Sequence, residues 1–272
     1  MARIAIIGGT GLEDPDIFKD KTEVIVGSTP WGEASKIWKG KLSSVEVFVL
    51  SRHGKAHELS PSQVNYCANL WALKELGVTH VIATTACGSL REEYAPGDLV
   101  VVSDYIDMTK TRTYTHYGTS KSGPQGIAHV PAKPAFDVDL RKLIIEVMRG
   151  AEDLSFKESG TCVVIEGPRF STLAESKMYS GFFGGDIVNM TLCPEAAIAK
   201  EMKLHYASIA LVTDYDCWKE SEEVSVEKVL KQMKTNAANA VKVLQKLIPI
   251  VAEKDWTAER MILTETINGS VM

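Results

Sequence analysis

Short, nearly unbroken apolar runs alternate along this chain with longer segments in which apolar residues recur every three or four positions. The runs at Arg3 to Ile7, Val78 to Thr84, Gly160 to Ile165 and Ala207 to Val212 predict strands buried on both faces. Thr22 to Val26, Val45 to Leu50, Asp98 to Val102 and Asp186 to Met190 predict further strands, with Pro30-Trp31-Gly32 as a turn. Ser60-Pro61 predicts a helix start, with Val64, Cys67, Ala68 and Trp71 at helical spacing and Gly77 as the stop. Asp137 to Arg149 places Leu140, Leu143, Ile144 and Val147 on one helical face. Helices are also predicted over Thr172 to Ser180 and Pro194 to Met202. Ser225 caps a long helix whose inner face reads Val226, Val229, Leu230, Met233, Ala237, Ala240, Val241 and Leu244. Trp256 to Met272 reads as a weaker helix and a tail.

Between Met108 and Pro134 the periodicity dissolves into Thr, Tyr, Gly, Ser and His. Irregular segments of that length inside compact domains tend to carry function or interfaces. Elsewhere strands and helices interleave without a linker, repeat or low-complexity stretch. The expectation is one α/β domain over residues 1–272, a central twisted sheet flanked by helices.

Composition narrows the function classes. The formal net charge is −5 with no long basic block, so nucleic acid is not the expected partner. No apolar run approaches the roughly 20 residues that span a bilayer, and the start leads straight into a strand without a signal-like segment. Five cysteines, Cys67, Cys87, Cys162, Cys193 and Cys217, are odd in number and show no CxxC spacing. They suggest reduced thiols in an intracellular protein with neither disulfides nor a zinc site. The six histidines form no HExxH-like pair, so no metal is expected.

Candidate chemistry gathers where strands end. Ala207 to Val212 runs into Asp214 and Asp216, packed among Tyr215, Cys217 and Trp218. Carboxylates so close to an interior must be paired, hydrogen-bonded or protonated. They read either as satisfied structural acids or as a proton donor and base-reading acid at a strand's carboxyl end, where open α/β sheets bind ligands. Gly8-Gly9-Thr10-Gly11 follows the first strand, but it lacks G-x-G-x-x-G, a clear following helix and a ribose-binding acid. That weakens any dinucleotide-dependent oxidoreductase. Ser51-Arg52-His53-Gly54 offers a guanidinium fork, with a surface ion pair as the plainer reading. Thr84-Thr85-Ala86-Cys87-Gly88-Ser89 and Asn189-Met190-Thr191 add hydroxyls and backbone donors. If these ends converge, they form an anion pocket beside a carboxylate; spacing alone does not establish convergence.

The ordered set IIGGTG, RHG, TTACGSLRE, IEGPRFS, NMT-x-x-PE and TDYDCW resembles the trimeric purine nucleoside phosphorylases, and among them the branch that cleaves methylthioadenosine. The resemblance extends from Arg3 nearly to the C-terminus. It implies a mixed sheet of the nucleoside phosphorylase kind and phosphorolysis of an N-glycosidic bond, with phosphate as co-substrate and no metal or organic cofactor. It also implies a homotrimer and a cytoplasmic location, with the nucleus as a second compartment. Phosphate-binding residues would be Thr10, Arg52, His53, Thr85, Ala86 and Thr191. Met190 would lie against the ribose and Phe170 against the purine.

Asp214 and Asp216, with Tyr215 between them, would read adenine. A protonated carboxyl can donate to N7, and an ionised one can accept from the 6-amino group. Relatives specific for 6-oxopurines carry Asn at the acid position and Glu where Ser171 stands, so both residues here imply a 6-aminopurine. The resemblance thus assigns the catalytic set to Asp214, Ser171 and Val226, with Asp214 as the general acid. Val226, Val229 and Leu230 would form an apolar 5′ pocket, completed across a subunit interface by His129 and Met272. Two other readings stand beside this one: a broader nucleoside phosphorylase accepting adenosine or inosine, and a non-catalytic nucleotide-binding module. The segment Tyr179 to Gly185 is longer and richer in Gly and Phe than the family pattern.

Overall fold

The structure is a computed structural model that describes residues 1–9, 18–54, 57–219, 221–222 and 225–272. Thr10 and the acidic stretch after it lie outside the described residues. Among those described, eleven strands form one mixed sheet, with helices on both faces. The strands are β1 (Ile4–Gly8), β2 (Lys19–Val24), β3 (Ile37–Leu42), β4 (Val45–Ser51), β5 (His80–Ser89) and β6 (Leu99–Val101). They continue with β7 (Asp104–Met108), β8 (Phe156–Lys157), β9 (Thr161–Ile165), β10 (Ile187–Asn189) and β11 (His205–Asp214). The helices are α1 (Tyr66–Glu75), α2 (Val138–Arg149), α3 (Leu173–Gly181), α4 (Leu192–Glu201), α5 (Val226–Glu253) and α6 (Thr257–Asn268).

The apolar runs are buried on both faces, as a layered sheet requires. Ala5 and Ile7 of β1 pack into the core beneath α1 and α4, while Ile4 and Ile6 pack beneath α2 and α5. β11 divides likewise, with Ala210 and Val212 on the first side and Ala207, Ile209 and Leu211 on the second. Period-two alternation places each residue of such a strand in one core or the other.

The sheet order is β2-β3-β4-β1-β5-β10-β9-β7, and β11 joins β5 to β6 on a second branch. β5 is therefore the fork. Its first half, His80 to Ala83, lies between β1 and β11, both parallel to it. β1 pairing stops at Ala83, and antiparallel β10 begins only at Gly88. Among the described residues, one edge of Thr84 to Cys87 is thus left without a strand partner. β11 stays paired along the other edge through Cys87, then breaks register between Val212 and Asp214.

Several sequence expectations are corrected. Ser60-Pro61 does not open a helix. It lies in a turn, and α1 starts at Tyr66, where the Asn65 side chain accepts from the Ala68 N–H. β3 and β7 were not anticipated, because Trp38-Lys39-Gly40-Lys41 and Asp104-Tyr105-Ile106-Asp107 are too polar to read as strands. Val226 and Leu230 are not on the inner face of α5; they are 62% and 50% exposed, and burial begins at Met233. Asp137, Thr172 and Ser225 cap α2, α3 and α5 through their side chains.

The two central strands are fixed together at the end remote from the open edge. His80 and His205 are register partners with rings stacked 4.6 Å apart, and Trp256 packs on both. His205 Nδ1 meets Asp137 Oδ2 at 2.7 Å. Burial, with His205 as a neighbour, pushes the His80 imidazole down to about 3. Between the ordinary histidine value of 6.5 and about 3, the unfolded chain binds a proton there that the folded chain refuses. This contribution to stability is complete above 6.5 and is lost as pH falls through the folded value. The thermal midpoint is therefore expected to drop on acidification from pH 7 towards pH 4. His80→Gln should give a shallower slope in scanning calorimetry across the same series. His53, depressed to about 4 by burial and by Arg52, acts with the same sign and keeps the remaining slope above zero.

Candidate active site

The open edge of β5 forms the floor of a cavity of about 990 Å3. Its walls come from the ends of β1, β4, β10 and β11, the loop before α3 and the first turns of α5. The segments singled out in the sequence do converge, although Thr84 to Ser89 is the second half of β5 rather than the end of a strand, because β11 and then β10 continue to pair with it. Arg52, His53, Thr85, Ala86, Thr191, Met190, Phe170, Ser171, Asp214, Asp216, Val226, Val229 and Leu230 all line this one space. Tyr215 does not. Its ring lies on a smaller cavity behind the acids, edge-on to Trp218 and beneath the Lys219 ammonium at 3.6 Å. An aromatic flanked by two acids turns away from them because the chain turns between them. His129 and Met272 do not line the cavity either. They lie on the surface, where the 128–271 bridge joins the irregular segment to the C-terminal tail.

The donor side is built around Arg52. The surface ion pair that was the plainer reading of Arg52 is instead a buried one, since the Arg52 side chain is only 1% exposed. Arg52 donates from Nε and Nη2 to Glu195 at 2.7 Å each, and from Nη1 to the Thr84 carbonyl at 2.9 Å. Tyr206 also donates to Glu195, at 2.8 Å. Burial alone would lower the guanidinium pKa; the Glu195 charge and hydrogen bonding, with Tyr206 and Tyr66 nearby, together outweigh it and hold the group cationic. A guanidinium carries five N–H donors, so these bonds leave N–H groups on Nη1 and Nη2 for a ligand. Gly9 allows this approach, because a Cβ there would stand 2.6 Å from the Thr84 oxygen and 2.9 Å from Arg52 Nη1.

His53 engages the Leu59 carbonyl through Nδ1 at 2.8 Å. A carbonyl can only accept, so Nδ1 carries the proton and the neutral ring presents a bare Nε2. The Thr85 and Thr191 hydroxyls lie 3.1 Å apart. Thr191 stands at the N-cap of α4, yet its side chain makes no capping bond. Its hydroxyl faces Thr85 instead.

The acid side is held by a sharp local structure. At the β11 register break, the Val212 carbonyl accepts from Asn236 Nδ2 of α5 at 2.8 Å. Asp214 accepts from the Thr213 hydroxyl at 2.6 Å and from the Asp216 N–H at 2.9 Å. The backbone of Asp216 is left-handed, φ +49°, a conformation costing a non-glycine residue about 1–2 kcal/mol. Trp218 ties the turn to the end of β5 through Nε1 and the Ser89 carbonyl at 2.8 Å. Gly88 lies opposite Asp214, and a Cβ there would press on both acids. Burial raises the pKa of Asp214 despite its two hydrogen bonds, and the Asp216 charge adds to the rise. Burial raises Asp216 as well, opposed by the nearby Ser176 and Ser171 hydroxyls. Neither serine reaches hydrogen-bond geometry with it, and Asp216 Oδ2, Ser171 Oγ and Ser176 Oγ are buried without protein partners. Such atoms carry a desolvation penalty that a polar ligand would relieve.

Four supporting residues escaped the sequence reading. Glu195 lies inside the NMT-x-x-PE motif, but an acid in a first helical turn already has the helix dipole as a reason to be there. Tyr206 and Asn236 sit within strand and helix patterns and carry no local signal. Arg112, from the irregular segment, donates to the carbonyls of Met190 at 2.6 Å, Cys193 at 2.7 Å and Glu166 at 2.7 Å. It therefore holds the loop that presents Met190 and Thr191. Glu166 is buttressed in turn. Burial opposes its charge, but hydrogen bonds from Ser62, Lys110 and Thr111 outweigh that and hold it down to about 2.

Among the described residues, no three His, Cys, Asp or Glu side chains are arranged as a metal site, and no helix is long and apolar enough to cross a membrane. Removing one partner of a buried ion pair leaves an uncompensated charge. Glu195→Ala is therefore expected to cost about 3–5 kcal/mol in urea unfolding, and Glu195→Gln distinctly less, because the amide still accepts from Arg52.

The comparisons with known proteins agree with this geometry. The family model described as the phosphorylase superfamily matches residues 3–249. An S-methyl-5′-thioadenosine phosphorylase from Danio rerio is 48% identical over 256 residues, covering 93% of this chain and 90% of that protein. One from Drosophila pseudoobscura pseudoobscura is 44% identical, covering 99% and 94%. The methylthioadenosine phosphorylase of Schistosoma mansoni in complex with adenine superposes with a TM-score of 0.95 at 38% identity, over 100% of this chain and 99% of that one. A mutant of the adenosine/methylthioadenosine phosphorylase from the same organism, in complex with methylthioadenosine, gives 0.92 at 38% identity, over 100% and 99%. The convergence of donors and acids on one cavity, in a chain matched over nearly its whole length, places it in the phosphorylase superfamily, in the family of the S-methyl-5′-thioadenosine phosphorylases.

Proposed function

We propose that this chain catalyses the phosphorolysis of S-methyl-5′-thioadenosine to adenine and 5-methylthioribose 1-phosphate. The observation that carries this reading is the polarity of the cavity: hydroxyl, guanidinium and backbone donors along the open edge of β5, and two acids of raised pKa at the end of β11. A phosphate dianion fits the first set. An adenine fits the second, with N7 facing a protonated carboxyl and the 6-amino group facing an acceptor. Ser171, beside Asp216, leaves room and a hydroxyl where a third acid would repel. Phe170, 42% exposed at the cavity rim, offers a face to the purine.

In the proposed reaction the C1′–N9 bond breaks with its electron pair moving into the purine, and Asp214 protonates N7 as the base leaves. A phosphate oxygen bonds C1′ from the opposite face, and its dianionic charge stabilises the oxocarbenium-like sugar. The proton carried by HPO4²⁻ balances the one adenine acquires. His53 Nε2, bare in the neutral ring, is suited to accept the P–OH hydrogen bond. The reading invokes phosphate as co-substrate and no other cofactor. Val226 belongs to this site as pocket wall, because an aliphatic side chain moves no proton.

The proposal extends to a homotrimer in the cytoplasm, with the nucleus as a second compartment, and with small molecules rather than nucleic acid as ligands. Val226 and Leu230 line the 5′ end of the cavity yet stay half exposed or more in one chain. A methylthio group there gains from an apolar cover. The exposed His129 and Met272, held together at the 128–271 bridge, are the residues offered to a neighbouring copy.

Purified protein should release adenine from methylthioadenosine only when phosphate is present, as followed by chromatography. Adenosine and inosine in parallel define its breadth. Asp214→Asn should lower kcat by about 100- to 10,000-fold, and a fall of less than tenfold would reject the acid role. Because burial raises Asp214, wild-type activity should persist above the ordinary carboxyl range and decline as pH climbs through the raised value; that decline should vanish in the Asn variant. Light scattering should give three times the 29.8 kDa of one chain. Deleting Met272 should raise the KM for methylthioadenosine while leaving that for phosphate unchanged.

A further inference from the structure

Asn189 ends β10 and lines the cavity, and nothing above gives it a role. It is buried, as are Thr85 and Thr191. Asn189 Nδ2 donates to Thr85 Oγ1 at 3.1 Å, and Thr85 Oγ1 lies 3.1 Å from Thr191 Oγ1 and 3.1 Å from the Ala86 carbonyl. A hydroxyl has one proton and two acceptor positions. The Asn189 N–H occupies one acceptor position of Thr85, so the Thr85 proton is excluded from that side. It must point to Thr191, to Ala86 or into the cavity. The partner amide atom, Asn189 Oδ1, is buried with no protein partner. A side chain kept only for packing would not carry that unmet acceptor, and an apolar residue would fill the position without it.

We propose that Asn189 is a positioning residue that orients the Thr85–Thr191 hydroxyl pair, so that Thr85 donates to Thr191 and the Thr191 proton faces the incoming phosphate. The amide acts at the rear of a directional chain, Nδ2–H to Thr85 and onward through the hydroxyls to the anion. Each bond in such a chain polarises the next. Free hydroxyls would have to reorient when phosphate arrives; the Asn189 N–H on Thr85 removes part of that freedom beforehand. Asn189 itself does not act on the reacting atoms. This inference rests on the phosphate-dependent reading of the site.

The test is a double-mutant cycle on phosphate. Asn189→Ala and Asn189→Leu should each raise the KM for phosphate at least tenfold, while the KM for methylthioadenosine changes less than twofold. In a Thr85→Val background the same substitutions should change the phosphate KM less than twofold, because the hydroxyl they act through is gone. In a Thr85→Ser background the effect should return. Equal rises for both substrates, or an undiminished effect on top of Thr85→Val, would overturn the assignment. Circular dichroism and thermal midpoints establish that each variant folds; if Leu does not, Ala decides. The shift of the midpoint on titrating inorganic phosphate gives a second readout that needs no turnover. If wild type is stabilised by phosphate but releases no adenine, the proposed reaction fails while the loss of that shift in Asn189→Ala still decides the positioning role.

Discussion

An unpaired strand edge in the middle of a sheet is the constraint on which this structure depends. Buried backbone N–H and C=O groups without partners are costly, and interior strands ordinarily pair on both sides. At Thr84 to Cys87, β1 has ended and β10 has not begun. The gap is filled from outside the ladder: Arg52 takes the Thr84 carbonyl, and the Gly9 N–H takes the Thr84 hydroxyl at 3.3 Å. Thr85, Ala86 and Cys87 line the cavity. The gap can persist because β11 secures the other edge of β5 and the His80–His205 pair fixes its base.

Charge is handled differently on the two sides of the cavity. The cation is compensated before any ligand arrives, since Arg52 and Glu195 form a neutral buried pair rigidified by Tyr206. An anion there meets directed N–H and O–H groups rather than a naked charge, which favours geometry over simple attraction. The acids are the opposite case. Among the described residues neither Asp214 nor Asp216 forms an ion pair, and hydroxyls and backbone N–H groups oppose the effect of burial. Their penalty is stored in raised pKa values and in the left-handed backbone of Asp216. Perturbed acids of this kind cluster where chemistry takes place.

Much of this was legible along the chain. The runs at Arg3 to Ile7, Gly160 to Ile165 and Ala207 to Val212 matched buried strands within two residues, Ser225 was read as a cap, and Asp137 and Thr172 as helix starts, because that chemistry is local. The polar β3 and β7 were not legible, because their pairing partners, rather than their own side chains, make them strands. The first turn of α5 was read as core for a related reason. Helical spacing shows that Val226, Val229, Leu230 and Met233 share a face, but not whether that face meets packed side chains or a cavity. Thr10 was named from its motif and lies outside the described residues.

The sequence by itself determined which residues end most of the strands: a Gly-rich turn, an Arg-His pair, an Asn-Met-Thr run and two acids. Strand ends are local features, set by where apolar runs stop, and the order of the motifs identified the family. Tertiary structure alone decided that those ends meet. It also decided that Arg52 is paired with a glutamate 143 residues away, that Tyr215 turns out of the cavity, and that Asn189 stands behind Thr85. Those facts depend on crossover connections and on the fork at β5, where partners far apart in sequence are fixed by packing and backbone hydrogen bonds rather than by any pattern in a window of residues.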